Sequence, residues 1–208
     1  MTPNNICDVF RIYGVFGTIR LLVDILQSKL LFRNIRIIRR PYYIRGRKFI
    51  KIGENFTSGV GLRLDGFSRN KQVCITIGNN VQVNDYVHIG AVDSVTIKNN
   101  VLIGSKVLIT DHDHGFYGLN GRHTNPNIEP SKRELASSPV TIEENVWIGE
   151  FVCILPGATI GKGSVIGAMS VVRGHIPEYS IAVGCPAVVK KRFNYESAKW
   201  ETVKRKPL

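Results

Sequence analysis

Apolar residues recur at every sixth position through much of this chain. Beyond position 141, six hexapeptides follow one another, and each opens with an aliphatic residue: Ile142, Ile148, Ile154, Ile160, Ile166 and Val172. Buried positions recur about every 3.6 residues in a helix and about every 2 in a strand. A period of six therefore indicates a chain that turns a corner in every hexapeptide, so that three hexapeptides close one triangular coil of a β-helix.

The repeat extends upstream with interruptions. Earlier triplets of opening residues are Ile77, Val83 and Ile89, then Ile97, Ile103 and Ile109, with a degraded one at Ile52, Ser58 and Leu64. Threonine precedes the opening isoleucine at Thr76, Thr96, Thr141 and Thr159, which predicts a stack of threonines about 4.8 Å apart from coil to coil. We expect about five coils of a solenoid, with the freedom of glycine in φ used at the corners by Gly149, Gly161 and Gly167.

A long loop interrupts the repeat at residues 110–139. Ile109 and Ile142 lie 33 residues apart where the period requires 6, so about 27 residues leave the solenoid. Loops of this length in compact domains are usually functional or disordered. This one opens with the sequence TDHDHG, which contains Asp111, His112, Asp113 and His114.

Three interpretations of this cluster remain open from the residues alone. It offers metal ligands, but adjacent alternating side chains rarely converge on one ion, and the other histidines, His88, His123 and His175, are isolated. It offers a general base, because acyl transfer to a hydroxyl requires a histidine whose tautomer a neighbouring carboxylate fixes. The third interpretation is a polar loop entry without chemistry.

Basic residues are concentrated at the two ends of the chain. The net charge is +12; residues 1–51 carry eleven Lys and Arg against two Asp and Glu, residues 52–189 ten against twelve, and residues 190–208 seven against two. We therefore predict a basic, partly helical N-terminal cap (1–51), a solenoid domain (52–189) and a basic C-terminal tail (190–208). The basic ends are either solvated segments or a surface for anionic lipid or a phosphorylated ligand.

The apolar stretch 9–32 predicts a helix. Charged residues interrupt it at Arg11, Arg20, Asp24 and Lys29, so no uncharged run reaches the roughly 18 residues that span a bilayer, and no signal-peptide pattern is present. The helix either covers the open end of the solenoid or lies in a membrane interface. Four scattered cysteines without CxxC spacing are typical of reduced thiols in a cytosolic protein, and no RNA-binding motif accompanies the basic, aromatic segment 39–51.

The chain resembles the hexapeptide-repeat acyltransferases, and within them the galactoside, maltose and polysaccharide O-acetyltransferases. The resemblance is carried by VTIKNNVLIGSKVLITDHDHG, the long loop, SPVTIEENVWIGEFVCILPGATIGKGSVIGAMSVV and GCPA. With RLLVDIL, TSGVGLR and NDYVHIG added, the whole chain is similar to bacterial O-antigen and exopolysaccharide O-acetyltransferases. The resemblance implies an all-β, left-handed parallel β-helix; its left hand follows from the resemblance alone, since parallel crossovers are generally right-handed.

The resemblance also implies roles for individual residues. It places the general base on His114, with His112 as an alternative base and Asp111 and Asp113 as orienting neighbours. The acceptor-binding residues that it implies are Asn84 and Asp93, and the CoA-binding residues are Trp147, Gly149, Ala168, Gly184, Pro186 and Ala187. Relatives have Thr-Lys near the nucleotide where this chain has Arg173-Gly174, so we expect the phosphates of CoA on Arg173, Lys190 and Lys191.

These residues favour direct transfer of an acetyl group. No Ser or Cys stands beside His114 in a nucleophile arrangement, so a covalent acyl-enzyme is disfavoured. His114 would take the proton of a sugar hydroxyl as that oxygen attacks the thioester, and backbone N–H groups of residues 147–149 would stabilise the oxyanion. Two alternatives remain: a metal-dependent hydratase on the same fold, and a non-enzymatic, membrane-associated scaffold in polysaccharide assembly.

The expected partners are acetyl-CoA as acyl donor, without a metal cofactor, and a saccharide acceptor in a surface polysaccharide such as O-antigen or in its precursor. Relatives bind CoA between adjacent prisms, which implies a homotrimer. We expect no nucleic-acid partner. We expect the protein on the cytoplasmic side, in peripheral contact with the inner membrane through residues 1–51.

Overall fold

A computed structural model describes residues 6–32 and 34–203. Residues 1–5 and 33 of the predicted cap and residues 204–208 of the predicted tail lie outside the described part. The description begins with a helix, α1 (Ile6–Leu31), and the chain then winds through short strands, three to a coil.

The strands follow one another coil by coil. The first three coils are β1 (Ile37–Ile38), β2 (Tyr42–Arg45) and β3 (Ile50–Ile52); β4 (Thr57–Ser58), β5 (Leu62–Gly66) and β6 (Ile75–Ile77); and β7 (Gln82–Val83), β8 (His88–Ala91) and β9 (Val95–Ile97). The fourth coil is β10 (Leu102–Ile103) and β11 (Leu108–Thr110), then the loop strands β12 (His112–His114) and β13 (Leu135–Ser137), and β14 (Val140–Ile142). The last two are β15 (Trp147–Ile148), β16 (Cys153–Ile154) and β17 (Thr159–Ile160), then β18 (Val165–Ile166), β19 (Val171–Val172) and β20 (His175–Ile176). β21 (Ser180–Val183), β22 (Val188–Asn194) and β23 (Lys199–Thr202) follow, and 3₁₀ turns lie at Arg47–Phe49, Leu119–Gly121 and Pro130–Lys132.

Equivalent strands of successive coils pair in parallel and form the three faces of a prism. Face one holds the first strand of every coil (β1-β4-β7-β10-β15-β18-β21), face two the second (β2-β5-β8-β11-β16-β19) and face three the third (β3-β6-β9-β14-β17-β20). The predicted threonines pair in register, Thr76 with Thr96, Thr96 with Thr141 and Thr141 with Thr159. The opening aliphatic residues of the hexapeptides are buried in the core. The predicted left-handed parallel β-helix is confirmed.

The described solenoid has six complete coils, one more than the number expected. The added coil is residues 37–52, where Ile38 is buried and pairs with Ser58. The period of six does not reveal this coil because Ile44 and Ile52 are eight residues apart, and because four arginines and lysines lie between them. The coil lies within the segment 1–51 that was assigned to the cap.

The corners use backbone conformations differently from the prediction. Gly149, Gly161 and Gly167 do not adopt a positive φ; they are needed because adjacent coils lie too close for a side chain, and a Cβ on Gly149 would lie 2.6 Å from the backbone nitrogen of Ala168. At one edge of the prism the left-handed corner positions are occupied by asparagines that stack from coil to coil: Asn55, Asn80, Asn100 and Asn145, with φ between 56° and 59°. Asparagine tolerates this conformation better than other residues with a Cβ.

The stacked asparagines also bond to one another. The side-chain Nδ2 of Asn55 donates to Oδ1 of Asn80 at 3.2 Å, Asn80 to Asn100 at 3.0 Å, and Asn100 to Asn145 at 3.2 Å. This amide ladder fixes one edge of the prism over four coils.

Helix α1 lies against β1 with an inverted pattern of burial. Its buried side chains are polar: Thr18, Asp24 and Ser28. Ser28 Oγ accepts a 2.8 Å hydrogen bond from the Ile38 backbone N–H, and Arg40 forms a 2.6 Å ion pair with Asp24. Its large apolar residues are exposed: Phe10, Ile12, Tyr13, Val15, Phe16, Ile19, Leu22, Val23, Leu26, Leu30 and Leu31.

A helix that only covers the solenoid would bury its apolar face, so this pattern requires a second explanation for the outward side. None of the helices that the structure describes is long and apolar enough to cross a membrane.

The C-terminal segment forms an antiparallel hairpin from β22 and β23. β21 pairs with β22 and β22 with β23, so the hairpin extends face one. Aromatic rings hold its outer side, with centroids 5.0 Å apart for Phe193 and Tyr195 and 5.4 Å apart for Phe193 and Trp200. Residues 190–203 of the predicted tail therefore belong to an ordered sheet.

Candidate active site

The loop leaves the solenoid at Asp111, whose side chain is fully buried. Its carboxylate accepts hydrogen bonds from the backbone N–H groups of Val92, Asp93 and Ser94, the shortest at 2.7 Å. The same carboxylate lies 2.8 Å from Nδ1 of His112. Asp111 thus ties the corner of the third coil to the loop, and it fixes the ring of the following histidine.

Opposing influences act on the ionisation of Asp111. Burial alone would raise its pKa, but hydrogen bonds from His112 and from the three backbone N–H groups favour the carboxylate, and the pKa is lowered. The group is therefore ionised at neutral pH and accepts rather than donates hydrogen bonds, so the Nδ1 atom of His112 carries the proton of their shared bond.

His114 lies at the end of the loop strand β12, which pairs with β13 through His114 and Leu135. Its side chain is exposed. Its backbone carbonyl accepts a 2.8 Å hydrogen bond from the hydroxyl of Tyr117. The sequence predicted that a neighbouring carboxylate would orient a catalytic histidine; in the described chain that contact is made to His112, while the backbone of His114 is held by the hairpin and Tyr117.

Asp93, predicted to bind the acceptor, lies beside this segment. Its backbone N–H donates to Asp111 at 2.8 Å, and its own side chain is exposed. Asp113 is exposed and pairs with Ala136 in the hairpin, with no described contact to either histidine ring. The structure therefore groups Asp93 with the whole predicted loop cluster at one corner, where faces two and three meet.

A second histidine from the solenoid faces the same area. A Cβ placed on Gly90 would lie 3.7 Å from Cε1 of His112 and 3.7 Å from Nε2 of His88. Gly90 therefore leaves space between two imidazole rings on face two. His88 Nε2 also lies 3.0 Å from Oδ2 of Asp65.

Asp65 is the centre of an ion-pair network on this face. Arg45 contacts it through two hydrogen bonds of 2.6 and 2.8 Å, and Arg63 through one of 2.7 Å. Burial raises the pKa of Asp65, but Arg45, His88 and Arg63 together lower it to about 2. Burial lowers the pKa of His88 more than Asp65 raises it, so His88 is neutral at pH 7.

Sequence reasoning missed this network. The signal was the alternation of charge in Arg63-Leu64-Asp65, which is typical of a strand with its polar side chains on one face. The partners Arg45 and His88 are set by coil-to-coil register, Arg45 opposite Asp65 and Arg63 opposite His88. That register depends on the irregular first coil, which the repeat did not predict.

Four predicted residues share one cavity of about 380 Å³ where faces one and two meet. These are Asn84, Trp147, Gly149 and Ala168. Leu102, Gly104, Val165, Ile166, Gly167 and Glu150 complete its lining. The carboxylate of Glu150 opposes binding of a phosphate here, so the cavity suits an uncharged group such as an acetyl thioester or pantetheine chain.

The backbone donors expected for an oxyanion near Trp147 are already used. The N–H of Trp147 donates to the carbonyl of Ser164 at 3.0 Å, and the N–H of Gly149 to that of Ile166 at 2.8 Å. Both groups belong to the parallel ladder of the solenoid. The expectation that these two donors stabilise an oxyanion is therefore wrong, because the next coil satisfies them.

The remaining predicted CoA residues lie at the C-terminal end. The turn that contains Gly184, Pro186 and Ala187 packs on the sixth coil, where Gly184 accepts from Val171 at 3.0 Å and Ala187 donates to Val171 at 2.8 Å. Arg173 follows the other end of β19. Lys190 and Lys191 are successive residues of β22, so their side chains point to opposite sides of that strand. The phosphate site on Arg173, Lys190 and Lys191 stays a prediction.

The loop cluster and the cavity lie at different corners of one prism. Asn84 precedes face two of the third coil and Asp93 follows it. One side of the prism, about five residues long, spans about 16 Å at the usual rise of a strand, and this length separates the two corners. The described chain therefore does not bring its predicted base and its predicted thioester cavity together by itself. Among residues 6–32 and 34–203, no group of three or more His, Cys, Asp or Glu side chains is placed to hold a metal ion.

Comparison with known proteins identifies the family. The family model described as bacterial transferase hexapeptide (six repeats) matches residues 139–174. The Escherichia coli K12 protein named "Putative lipopolysaccharide biosynthesis O-acetyl transferase WbbJ" is 53% identical over 189 residues, which cover 91% of this chain and 95% of that protein. Galactoside O-acetyltransferase of the same organism is 41% identical over 123 residues, 58% of this chain and 55% of the relative.

A solved structure supports the same assignment. The maltose O-acetyltransferase from Clostridium difficile 630 superposes with a TM-score of 0.55 at 30% identity, over 69% of this chain and 70% of that one. Because a relative with more than half of its residues identical aligns along nearly the entire length of both chains, the protein belongs to the bacterial hexapeptide-repeat O-acetyltransferases.

Proposed function

We propose that the protein transfers the acetyl group of acetyl-CoA to a sugar hydroxyl of a surface polysaccharide, such as O-antigen, or of its precursor. The observation that carries this proposal is the 53% identity, along nearly the whole chain, with a protein named as a lipopolysaccharide O-acetyltransferase. The cavity at Trp147 and Ala168 and the histidine loop are the two parts that the reaction requires.

The cavity is the proposed site for the thioester end of acetyl-CoA. Trp147 is half exposed and offers a flat apolar wall, and Ala168 leaves space because its side chain is short. Asn84 lines the same cavity. No hydrogen bond described in residues 6–32 and 34–203 engages its side-chain amide, which would donate to the oxyanion in place of the backbone groups that the ladder occupies.

His114 is the proposed general base. The resemblance places the base at this position, and the exposed imidazole is open to a sugar hydroxyl. His112 is the second candidate, because, of the two histidines in the loop, it is the one whose ring has a described contact with a carboxylate, and such a contact fixes the tautomer of a catalytic histidine. In either case the hydroxyl oxygen attacks the thioester carbonyl, its proton passes to the imidazole, and the CoA thiolate leaves.

We propose that the active enzyme is a homotrimer. The separation of the loop cluster from the cavity within one chain supports this proposal, because a neighbouring prism can bring its loop to the cavity. The large cluster of exposed residues on the loop, including Tyr117 and Ile128, is available for such a contact. Light scattering at working concentration is expected to give three times the chain mass, and a monomer that retains full activity would contradict the proposal.

We propose that the enzyme works at the cytoplasmic face of the inner membrane, with α1 in the interface. The outward apolar side of α1 and the basic excess of residues 1–51 support this location. Apolar burial and attraction to anionic lipid act together for such helices.

The activity is tested by release of free CoA thiol. Purified protein with acetyl-CoA and a polysaccharide acceptor is expected to release thiol in proportion to acetyl ester formed on the saccharide. The control omits the acceptor and measures simple hydrolysis. No thiol above that control with any saccharide acceptor would overturn the proposed activity and would leave the scaffold alternative.

A further inference from the structure

A second, larger cavity lies beside the end of helix α1, away from the predicted thioester site. It has a volume of about 850 Å³ and is lined by Leu31, Phe32, Tyr42, Tyr43, Ile44, Arg45, Arg47 and Arg63. β2 is the edge strand of face two, so the cavity opens at the first coil. Among the residues that the structure describes, its lining combines an apolar wall with three cations and has no acidic side chain.

The charge of this cavity suits an anion with two negative charges. Arg45 and Arg63 share the single carboxylate of Asp65, which is buried beneath them, so this cluster keeps one net positive charge. Arg47 adds a second. The neutral His88 adds none. A guanidinium has five N–H donors, and the bonds to Asp65 use two from Arg45 and one from Arg63.

Arg47 also offsets the partial negative charge at the C-terminal end of helix α1, which lies beside the cavity. The C-terminal end of a helix carries partial negative charge, and α1 ends at Leu31. Arg47 Nη2 donates a 3.1 Å hydrogen bond to the Leu31 carbonyl, and its guanidinium lies 4.0 Å from the ring centroid of Phe32. The guanidinium is therefore held at the junction of the apolar wall and the cationic wall.

The apolar wall continues onto the surface of helix α1. Leu31 lines the cavity and is exposed, as are Leu30 and Leu26 before it. A ligand with a hydrocarbon chain would place the chain along these leucines and its charged group on the arginines. Free inorganic phosphate would leave the apolar wall unused.

The cavity and the histidine loop lie along the same face of the prism, face two. Arg63 stands opposite His88, and the rings of His88 and His112 flank Gly90. From β2 in the first coil to β11 in the fourth there are three coil spacings, about 14 Å. A short oligosaccharide attached to a phosphate in the cavity would follow this polar face to the loop.

We propose that this cavity binds the diphosphate of a lipid-linked saccharide, and so delivers the saccharide acceptor to the histidine loop. The proposal rests on the proposed acetyl transfer for the role of the saccharide, but binding of the lipid diphosphate itself is independent of that activity. It names the acceptor as lipid-linked rather than free or nucleotide-linked.

Binding is tested by calorimetry with farnesyl diphosphate as probe, without acetyl-CoA. The wild-type chain is expected to bind it at least about tenfold more tightly than farnesol or inorganic pyrophosphate. Farnesol lacks the diphosphate that would contact the arginines, and pyrophosphate lacks the hydrocarbon chain that would contact the apolar wall. Arg47→Gln and Arg63→Gln are each expected to weaken binding about tenfold or more. Arg36→Gln, which removes the same charge from an exposed residue outside the cavity, is expected to leave binding within about twofold.

Several outcomes would overturn the proposal. Unchanged binding of farnesyl diphosphate in both cavity variants would show that the ligand does not bind in this cavity. If UDP or pyrophosphate binds as tightly as farnesyl diphosphate, the ligand is not lipid-linked. Acetyl-CoA binding in each variant serves as the check of folding, since its proposed cavity lies at another corner. Loss of thiol release with every acceptor, while Arg47-dependent binding of farnesyl diphosphate persists, would overturn the acetyl transfer and leave this site standing.

Discussion

Nδ1 of His112 lies 2.8 Å from Oδ1 of Asp111, a carboxylate with no exposed surface. The same carboxylate accepts three backbone hydrogen bonds from residues 92–94. Asp111 is thus both a structural anchor for the loop and the orienting partner of one of two candidate bases. The second function can be measured separately from the first because His112 and His114 can be replaced one at a time.

His114→Ala is expected to lower kcat by about 100-fold or more while acetyl-CoA still binds, because general-base assistance acts only when the hydroxyl loses its proton. His112→Ala is expected to cost less. The measurement is thiol release at saturating acetyl-CoA together with acetyl-CoA affinity by calorimetry.

Asp111→Asn separates the two candidate bases. If His114 is the base, this variant is expected to be less stable than the wild type, because a buried amide replaces a carboxylate that accepts backbone hydrogen bonds. The kcat of its folded fraction is expected to be close to that of His112→Ala. The opposite result would make His112 the general base: a kcat lowered about 100-fold or more in His112→Ala, together with turnover near the wild-type level in His114→Ala. Asp113→Asn, which makes the same change at an exposed carboxylate two residues further along the loop, is the control.

Asp65 is expected to make stability depend on acid pH. Its folded pKa of about 2 lies below the unfolded reference of 3.8, so its contribution is complete above about pH 4 and is lost as pH falls towards 2. The shift corresponds to about 1 to 2 kcal/mol once the half-exposed arginines are allowed for. Urea unfolding at one protein concentration should show that the difference in free energy of unfolding between wild type and Asp65→Asn becomes smaller below pH 4.

Asp113→Asn is the matched control for the acid measurement, because Asp113 is exposed and has no described ion pair. It is expected to follow the wild-type curve. A gap between wild type and Asp65→Asn that stays constant from pH 7 to pH 2 would show that the carboxylate does not carry this contribution.

The repeat itself was predictable because its physical cause is local. Every coil must bury one residue per side, so the hexapeptide period appears directly in the sequence, and the threonine stack follows from the same period. Repeat coils contact their neighbours at fixed register. The fold and the boundaries of the loop could therefore be obtained from spacing alone, with the handedness supplied by resemblance.

The site was only partly predictable because it depends on contacts between coils of irregular length. The residues of the small cavity share the corner position of the hexapeptide, so Asn84, Gly149 and Ala168 were found. The ion pairs of Asp65 depend on the register of the first coil, which breaks the period between Ile44 and Ile52. No sequence pattern predicted which histidine the Asp111 carboxylate would contact, since both lie within three residues of it.

The outward face of α1 could not be inferred from composition either. The segment is apolar all around apart from a few polar positions, so periodicity did not indicate which side packs on the solenoid. The structure shows that Ser28 and Asp24 turn inward because they bind Ile38 and Arg40. Side-chain hydrogen bonds therefore contribute to the orientation of this helix, together with the half-buried Leu21 and Ile25.

The exposed face of α1 is expected to bind anionic vesicles. Phe16, Leu26 and Leu30 are 89%, 61% and 77% exposed, and each is expected to contribute about 1.5 kcal/mol or more when buried in a membrane interface. The triple replacement of these residues by serine should move the protein from the vesicle pellet to the supernatant in low-salt sedimentation. Met169→Ser, at an exposed apolar residue of the solenoid, should not. Equal sedimentation of wild type and triple variant would contradict the membrane proposal.

The small cavity is expected to set the affinity for acetyl-CoA. Ala168→Phe would place an aromatic ring in a space of about 380 Å³, between Gly149 on the preceding coil and Glu150, and the ring would occupy the volume proposed for the thioester. Because the ring would block acetyl-CoA from binding in the ground state, KM for acetyl-CoA should rise about tenfold or more. Met169→Phe is the matched control, because residue 169 is 72% exposed and its side chain does not line the cavity. Steady-state kinetics with varied acetyl-CoA at saturating acceptor make the comparison, and affinity for the acceptor should stay unchanged. If Ala168→Phe and Met169→Phe give the same KM for acetyl-CoA as the wild type, the thioester does not bind between Trp147 and Ala168, and the cavity has no part in catalysis.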